Sequence, residues 1–344
     1  MTTEATRVVL SARPQGAATL DDLRHEPFEC PDPGDGQVLL RTIWLSLDPY
    51  MRGRMDDAKS YATPVGLGEV MTGQTVGEVI ASRHKDFAPG DIATGMTGWT
   101  DHAVIDGGEL RKIDPEVAPI QTALGVLGMP GLTAWTGVNH ILRVESGKTL
   151  VVSAATGAVG SVAGQLAKAK GLHSVGVAGG PEKCAFATDE LGYDACIDHH
   201  AQADGKAMAA AIADAASDGV DYYFENVGGK TLAGVIGNMN DHGAIAICGM
   251  IAWYGGKNLD EGPQMPMLWR NMLTRKLRAE GFIIYDHWHR FPDFLNEVAP
   301  MVADGRVSYR ESVTEGLENA PAAFLDMLQG GNFGKTLVRV GADP

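Results

Sequence analysis

Val151-Val152-Ser153-Ala154-Ala155-Thr156-Gly157-Ala158-Val159-Gly160 decides the fold. An apolar strand is expected to end at Ser153, and a helix to run over 158–170, with a glycine-bearing loop between them. In that setting Gly157 lets the backbone approach a pyrophosphate, and Gly160 lets the helix pack close to the sheet. The helix N-terminus then faces the phosphates. Ala155 stands where a GxGxxG fingerprint has its first glycine, so the match is imperfect, and the loop in isolation also reads as a tight turn.

The flanking chain supports the ligand-binding reading. Strands are expected at 149–153, 174–178, 195–197, 220–224 and 244–248, alternating with helices at 158–170, 181–191, 202–216 and 229–239. Continuously apolar strands joined by helices predict a doubly wound parallel sheet covered on both faces. Upstream, 7–10, 38–45, 74–80, 91–94 and 99–105 read as short strands between glycines and prolines, a barrel-like all-β pattern. Two helical pieces separated by Met129-Pro130-Gly131 join the two patterns. After about residue 295 a single helix (317–329) and a terminal strand (335–340) are expected. They are too few for a third domain and are expected to complete the first. The predicted domains are therefore 1–125 plus 300–344, and 126–299.

Composition narrows the function. With 28 Lys and Arg against 43 Asp and Glu the net charge is −15, which argues against nucleic acid as a partner while leaving room for one local anion pocket. Glycine supplies 44 of 344 residues without a collagen-like period, as expected for many turns and close backbone approaches. Cys30, Cys184, Cys196 and Cys248 form no CxxC pair, so reduced thiols are expected rather than a zinc ribbon or a disulfide scaffold. No signal-like or membrane-length apolar segment is apparent, and the expected setting is the cytoplasm.

The second strand of the alternation ends Val177-Ala178-Gly179-Gly180, with no acid at its tip to accept the adenosine ribose hydroxyls as NAD-specific sites do. Lys183, slightly further on, is placed to pair with a 2′-phosphate, although a lysine at a helix start also commonly faces solvent. Glu182 weighs mildly against that pairing. NADPH is therefore the expected cofactor. Asn226-Val227-Gly228-Gly229 and Cys248-Gly249 follow later strands, at the carboxyl edge where ligands of such sheets bind. Two P-loop look-alikes, Gly147-Lys148-Thr149 and Gly334-Lys335-Thr336, fail because Leu142 and Gln329 occupy the required first glycine.

Taken in order, Ser46-Leu47-Asp48-Pro49-Tyr50-Met51-Arg52, Gly128-Met129-Pro130-Gly131-Leu132-Thr133-Ala134, the 155–160 loop, Asn226-Val227-Gly228-Gly229 and Gly331-Asn332-Phe333-Gly334-Lys335 resemble one family. It is the medium-chain dehydrogenase/reductase superfamily, in its zinc-independent branch of prostaglandin reductases, leukotriene B4 dehydrogenases and curcumin-reductase-like enzymes. The resemblance implies a GroES-like partial barrel beside a Rossmann domain, a homodimer formed through the latter, and reduction by NADPH of the carbon–carbon double bond of α,β-unsaturated ketones or aldehydes. It implies cofactor contacts at Pro49, Thr133, Ala155, Gly157, Ala158, Val159, Gly179, Asn226, Cys248 and Phe282. The phosphate-reading lysine falls on Lys183, a neighbouring tyrosine on His199, the active-site tyrosine on Tyr254 and a nicotinamide-side asparagine on Asn332. Ala252-Trp253 stand where the family often has Ser-Gln.

Asp48-Pro49 and Met71-Thr72-Gly73 replace the segments that begin a catalytic zinc set in alcohol dehydrogenases, so no metal is expected. No tyrosine has a lysine four residues later, which removes the short-chain reductase mechanism. The expected chemistry is hydride transfer to the β-carbon of an enone. Tyr254, or a hydroxyl of the cofactor ribose, would stabilise charge on the carbonyl oxygen. Tyr254 also admits a packing role. Tyr50, Arg52, Trp99 and Trp253 are candidate substrate contacts for a small, apolar, electron-poor molecule, although Arg52 reads equally as a structural ion pair. A quinone reductase and a non-catalytic NADPH-binding sensor are the competing functions.

Overall fold

A computed structural model describes residues 2–256 and 258–343. The chain divides into two compact units, one made of the residues up to Gly125 together with those from Glu311 onward, the other of Val126–Arg310.

The first unit begins with a two-stranded antiparallel sheet of β1 (Thr2–Leu10) and β2 (Leu23–Pro31). It continues through β3 (Gln37–Ser46), the short helix α1 (Tyr50–Arg54), β4 (Thr75–Ser82), β5 (Ile92–Gly95), β6 (His102–Asp106) and β7 (Arg111–Ile113). β2 was not expected from the sequence; it carries Pro27 inside it and ends at Pro31, the start of a breaker-rich run over 31–36. In a two-stranded sheet both strands are edges, where a missing N–H is tolerated. The expected strand at 99–105 starts later, at His102, because Trp99 and Thr100 form bridges and turns before it.

The second unit opens with α2 (Met129–Thr136), which runs on into a π-helical turn, Gly137–Leu142. Met129-Pro130-Gly131 therefore starts a helix, where the sequence suggested a break between two. Proline is well suited to the first turn. Gly131 is needed for close approach, since a Cβ there would lie 2.0 Å from the Val126 carbonyl oxygen. The α/β alternation follows: β8 (Thr149–Ser153), α3 (Gly160–Ala169), β9 (His173–Ala178), α4 (Pro181–Asp189), β10 (Ala195–Asp198), α5 (Gly205–Ala215), β11 (Val220–Glu225), α6 (Gly229–Ile236) and β12 (Met239–Ile247). Three further elements, α7 (Met265–Thr274), β13 (Arg278–Gly281) and α8 (Phe291–Ala303), were not foreseen.

All six strands of this sheet run parallel in the order β10-β9-β8-β11-β12-β13. The chain leaves β8 toward one edge and returns to β11 on its other side, so the strand order reverses between these two neighbours. That seam is where α/β sheets open a ligand crevice at their carboxyl ends. Val151, Val175, Tyr223 and Ile245, one from each of four adjacent strands, are buried in one cluster with Met208 and Ile212 of α5 and Val235 of α6. Burial of each such side chain contributes on the order of 1.5–3 kcal/mol.

The chain then returns to the first unit through β14 (Glu311–Glu315), α9 (Ala320–Leu328) and β15 (Lys335–Arg339). The single helix expected after residue 295 is thus preceded by most of α8 and by a strand. The strand was missed because charged Glu311 and Glu315 frame it. β15 pairs antiparallel with β3, completing a seven-stranded sheet in the order β14-β15-β3-β4-β5-β7, with β6 also on β3.

A buried ion pair ties this return to the start of the unit. Lys335 Nζ donates to Asp48 Oδ1 at 2.9 Å and to the Leu47 carbonyl oxygen at 2.7 Å, while Ser46 Oγ bonds to the other Asp48 oxygen. Both charged side chains are less than a tenth exposed. Removing one charge strands the other without solvent. Lys335→Met is expected to destabilise the first unit by about 3–5 kcal/mol, read by urea unfolding. The double change Lys335→Met with Asp48→Asn should recover most of the loss. Equal stability of Lys335→Met and wild type would show that the pair is dispensable.

Candidate functional site

The loop after β8 owes its shape to a few backbone positions. Ala154 takes a left-handed conformation (φ 51), which costs energy for a residue with a Cβ. Its carbonyl accepts from Gly157 N at 2.9 Å, and Ala155 N donates to Val177 O of β9 at 3.0 Å. A Cβ on Gly160 would lie 2.2 Å from the Ala154 carbonyl oxygen, so glycine is required where α3 starts. Ala155 is fully buried. Its methyl, standing where the fingerprint has glycine, faces Gly176 of β9, at which a Cβ would lie 2.8 Å away. The departure from the motif is thus matched by a glycine on the neighbouring strand, a compensation that reading the loop in isolation could not find. Gly157, Ala158 and Val159 are half-exposed along the loop.

At the tip of β9 Ala178 is followed directly by Gly179 and Gly180, with no acidic side chain before α4 begins. The nearby Asp198, at the end of β10, accepts from Gly180 N (2.7 Å) and His200 N (2.9 Å). The rings of His199 and His200 pack edge to face and close over Gly179, where a Cβ would come within about 3 Å of both. Lys183 is half-buried on the first turn of α4, and Glu182 is exposed. Burial first, then the positive fields of His200, Lys230 and Lys183 against the opposing Asp198, lower the His199 pKa to about 4. At neutral pH its imidazole is therefore a neutral hydrogen-bonding group in a locally positive setting, which suits an anion. Lys230 was missed from sequence. Its signal was its place directly after Gly228-Gly229, and its Nζ reaches the Gln202 carbonyl at 2.8 Å.

At the seam, Asn226 Nδ2 donates to the Ser153 carbonyl at 2.8 Å, linking the loop after β11 to the end of β8. The loop after β12 joins them: Ile251 N donates to Asn226 O and Ala252 N to Val227 O. Tyr254 lies in this segment with extended backbone angles (φ −63, ψ 135), followed by Gly255 at φ 73. Its hydroxyl oxygen stands 3.5 Å from where a Cβ on Gly249 would be. Cys248 is a poor nucleophile here, because burial, with the nearby Glu225, pushes its thiol up to about 12. Phe282, mostly buried, meets Phe224 edge to face.

Other candidates have roles in the scaffold. Trp253 lays its ring over Gly228 and Gly262, and its indole N–H donates to Glu261 O at 3.1 Å. Trp99, expected against substrate, is instead core: it is 0% exposed and packs edge to face on Phe324, which leaves it no surface for a ligand. For Arg52, the ion-pair reading of the two weighed holds. It is 3% exposed and its guanidinium donates to Asp56 (2.7 Å) and to the Gly16 carbonyl (2.6 Å). Thr133 uses its hydroxyl on the Met129 carbonyl at 2.8 Å. In the first unit Pro49 and Tyr50 are half-buried, with Arg54 over the Tyr50 ring at 5.6 Å. Asn332 is half-buried, and its Nδ2 donates to the Gly334 carbonyl at 2.8 Å.

Among the described residues no group of three or more His, Cys, Asp or Glu side chains is arranged to hold a metal ion. No helix of theirs is long and apolar enough to cross a membrane.

Comparison with known proteins agrees with this fold. Residues 6–113 match a family model described as the N-terminal domain of oxidoreductase, and residues 158–300 match one described as zinc-binding dehydrogenase. The NADPH-dependent curcumin reductase of Escherichia coli (strain K12) is 46% identical, the match covering 98% of this chain and 97% of that one. A 2-alkenal reductase (NADP(+)-dependent) of Nicotiana tabacum is 39% identical over 89% of this chain and 88% of its own. Among solved structures, CurA in complex with NADPH from Vibrio vulnificus is 46% identical, with a TM-score of 0.93 over 98% of this chain and 100% of that chain.

Proposed function

Because the chain belongs to the medium-chain dehydrogenase/reductase superfamily, among its curcumin-reductase and prostaglandin-reductase-like members, we propose that it catalyses the NADPH-dependent reduction of the carbon–carbon double bond of α,β-unsaturated ketones or aldehydes. The observation that carries the cofactor is the tip of β9. Glycines replace the acid that would repel a 2′-phosphate, and a neutral His199 sits in the positive field of Lys183 and Lys230. The residues present therefore fit NADPH. Lys183 and His199 are assigned to its 2′-phosphate, with Gly179 letting the His199 and His200 rings pack close to the backbone at the tip of β9. Gly157, Ala158 and Val159 are assigned to the pyrophosphate, with Ala155 shaping the loop beneath it. Thr133, Asn226, Cys248 and Phe282 of the second unit are assigned to the nicotinamide half; for Pro49 and Asn332 of the first unit the assignment rests on the sequence motifs alone.

NADPH supplies the hydride. The protein's own task is to hold the alkene in place, exclude water and meet the charge that develops on the carbonyl oxygen. Tyr254 is the residue assigned to that oxygen, as a hydrogen-bond donor. Trp253 keeps the Tyr254 segment closed over Gly228, and Tyr50 is assigned to an apolar, electron-poor substrate. The four free cysteines fit a reducing cytoplasm.

A homodimer is the expected assembly. β13 ends its sheet with an unpaired edge, and α7 beside it in the chain buries none of its residues, leaving Trp269 64% and Leu273 79% exposed. Such an apolar, edge-adjacent surface suits a second copy of the chain. Light scattering should give twice the chain mass for wild type and the monomer mass for Trp269→Glu; a monomeric wild type would refute the assembly.

Mixing the protein with NADPH and an aryl enone, a linear 2-alkenal or a quinone, without oxygen, tests the activity. Mass spectrometry should find the saturated ketone or aldehyde with its carbonyl intact. Quinol as the sole product would overturn the reading in favour of quinone reduction, and tight NADPH binding without turnover would favour a sensor. Lys183→Ala should raise the NADPH Michaelis constant about tenfold, the cost of one charge-assisted hydrogen bond, and leave that for NADH nearly unchanged; equal effects would remove Lys183 from the phosphate. Tyr254→Phe should lower kcat about tenfold or more while NADPH binding is retained. Unchanged kcat would remove the hydroxyl from the chemistry.

A further inference from the structure

Glu225 is the last residue of β11 and is 2% exposed; the donors on its Oε1 are all neutral, the Tyr223 hydroxyl lies close by, and its Oε2 is buried without a hydrogen-bond partner among the described residues. One carboxyl oxygen, Oε1, accepts from Ser153 Oγ at 3.1 Å, Val227 N at 2.6 Å and Gly228 N at 2.9 Å. The Ser153 hydroxyl in turn accepts from Asn226 N at 2.8 Å. The main-chain carbonyl of the same glutamate accepts from Cys248 N (2.9 Å) and Gly249 N (3.1 Å). One residue thus gathers the chain ends of β8, β11 and β12, on both sides of the seam where strand order reverses.

A buried carboxyl is a costly way to fill such a place. Desolvation pushes its pKa up, and no lysine or arginine is among its hydrogen-bond partners to offset the charge. An apolar side chain of similar size would spare the desolvation but leave the Val227 and Gly228 N–H groups without an acceptor. What the carboxyl adds is acceptor capacity aimed at a turn whose backbone needs it. Gly228 and Gly229 both adopt positive φ, and their loop presents N–H groups inward that would otherwise be buried without partners. The consequence reaches the chemistry by two covalently short routes. Asn226 is the next residue, and Gly249, held by the Glu225 carbonyl, is the residue beside which the Tyr254 hydroxyl stands.

We propose that Glu225, acting with Ser153, is a positioning residue for the reaction, clasping the three strand-end loops so that Asn226 and Tyr254 are held in register with cofactor and substrate. This rests on the reductase reading above. It assigns Glu225 no contact with a ligand and no proton transfer. Its effect is on where the nicotinamide and the enone carbonyl are presented.

The test compares wild type, Glu225→Gln, Glu225→Ala and Ser153→Ala as full-length proteins, with thermal unfolding, NADPH affinity from its fluorescence, and kcat and KM for an aryl enone. Glu225→Gln keeps one carbonyl acceptor and should fold with a melting temperature near wild type, yet lose at least tenfold in kcat. Its primary isotope effect with 4-deuterated NADPH should rise as hydride transfer becomes limiting, and NADPH affinity should fall severalfold. Ser153→Ala should shift each quantity in the same direction by less. Folded Glu225→Gln and Ser153→Ala with kcat, isotope effect and NADPH affinity within twofold of wild type would overturn the proposal. So would losses that merely track the fraction of folded protein, which would make the clasp structural only. Should Glu225→Ala fail to fold, the other two variants carry the comparison. If wild type reduces no enone, the reductase reading fails by itself, and the NADPH affinities of the folded variants still decide whether Glu225 positions the loops.

Discussion

A parallel sheet that winds both ways from its middle opens a crevice between the loops that leave its two central strands in opposite directions, and something must hold the lips of that crevice at a fixed separation. Here the task falls on hydrogen bonds between β8 and β11: Ser153 to Glu225, and Asn226 back to both the hydroxyl and the carbonyl of Ser153. The loops that approach the cofactor start from these residues. The left-handed Ala154, the close fit of Gly160 and the paired glycines 228 and 229 all derive their geometry from strand ends fixed in this way. A site built on rigid strand termini is more sharply defined than one built on free loops.

The first unit solves a related problem by electrostatics. Its final strand must be kept against a segment nearly three hundred residues earlier, and the buried Lys335 ammonium reaches both the carboxylate and a main-chain carbonyl there. The same contact fixes Asp48 immediately before Pro49 and Tyr50, while Asn332 lies three residues before the lysine. Two stretches assigned to the site from sequence motifs are thus joined by an ion pair, at a position where zinc enzymes of the superfamily begin their ligand set.

What the sequence made legible follows from what is periodic or local. The loop at 153–160 lay between an apolar strand and a helix, so its fold could be read from ten residues, and the missing acid after Ala178 pointed to the phosphate-bearing cofactor. Elements with little buried surface were invisible: α7 packs only the partly buried Leu268 and Met272 against the core while Met265, Met267, Trp269 and Leu273 stay exposed, and β13 is the short charged run Arg278-Ala279-Glu280-Gly281. The start of β12 was placed too late because Asn240-Asp241-His242 interrupts its apolar pattern. Site residues were legible where backbone conformation demanded a residue type, as at Gly157 and Gly160. They were illegible where the partner comes from elsewhere in the chain. Trp99 looked like a ligand wall because aromatic residues serve in pockets and cores alike, and only its packing on Phe324 tells which. Glu225 fell just past the strand expected at 220–224, and its role was hidden because its donors lie on β8 and in the following turn.

The pairing of β15 with β3 also orders events during synthesis. The second unit is a continuous stretch of chain, complete once residue 310 has emerged, and can fold as a unit while translation continues. The first unit is made earliest yet finished last, because its sheet lacks two strands and the Lys335 ammonium until the final tenth of the chain appears. Until then β3 presents an open edge and Asp48 has no counter-charge. Loss of β15 alone would thus leave β14 without its neighbour and Asp48 without its counter-charge, disabling a domain most of whose strands lie more than two hundred residues upstream.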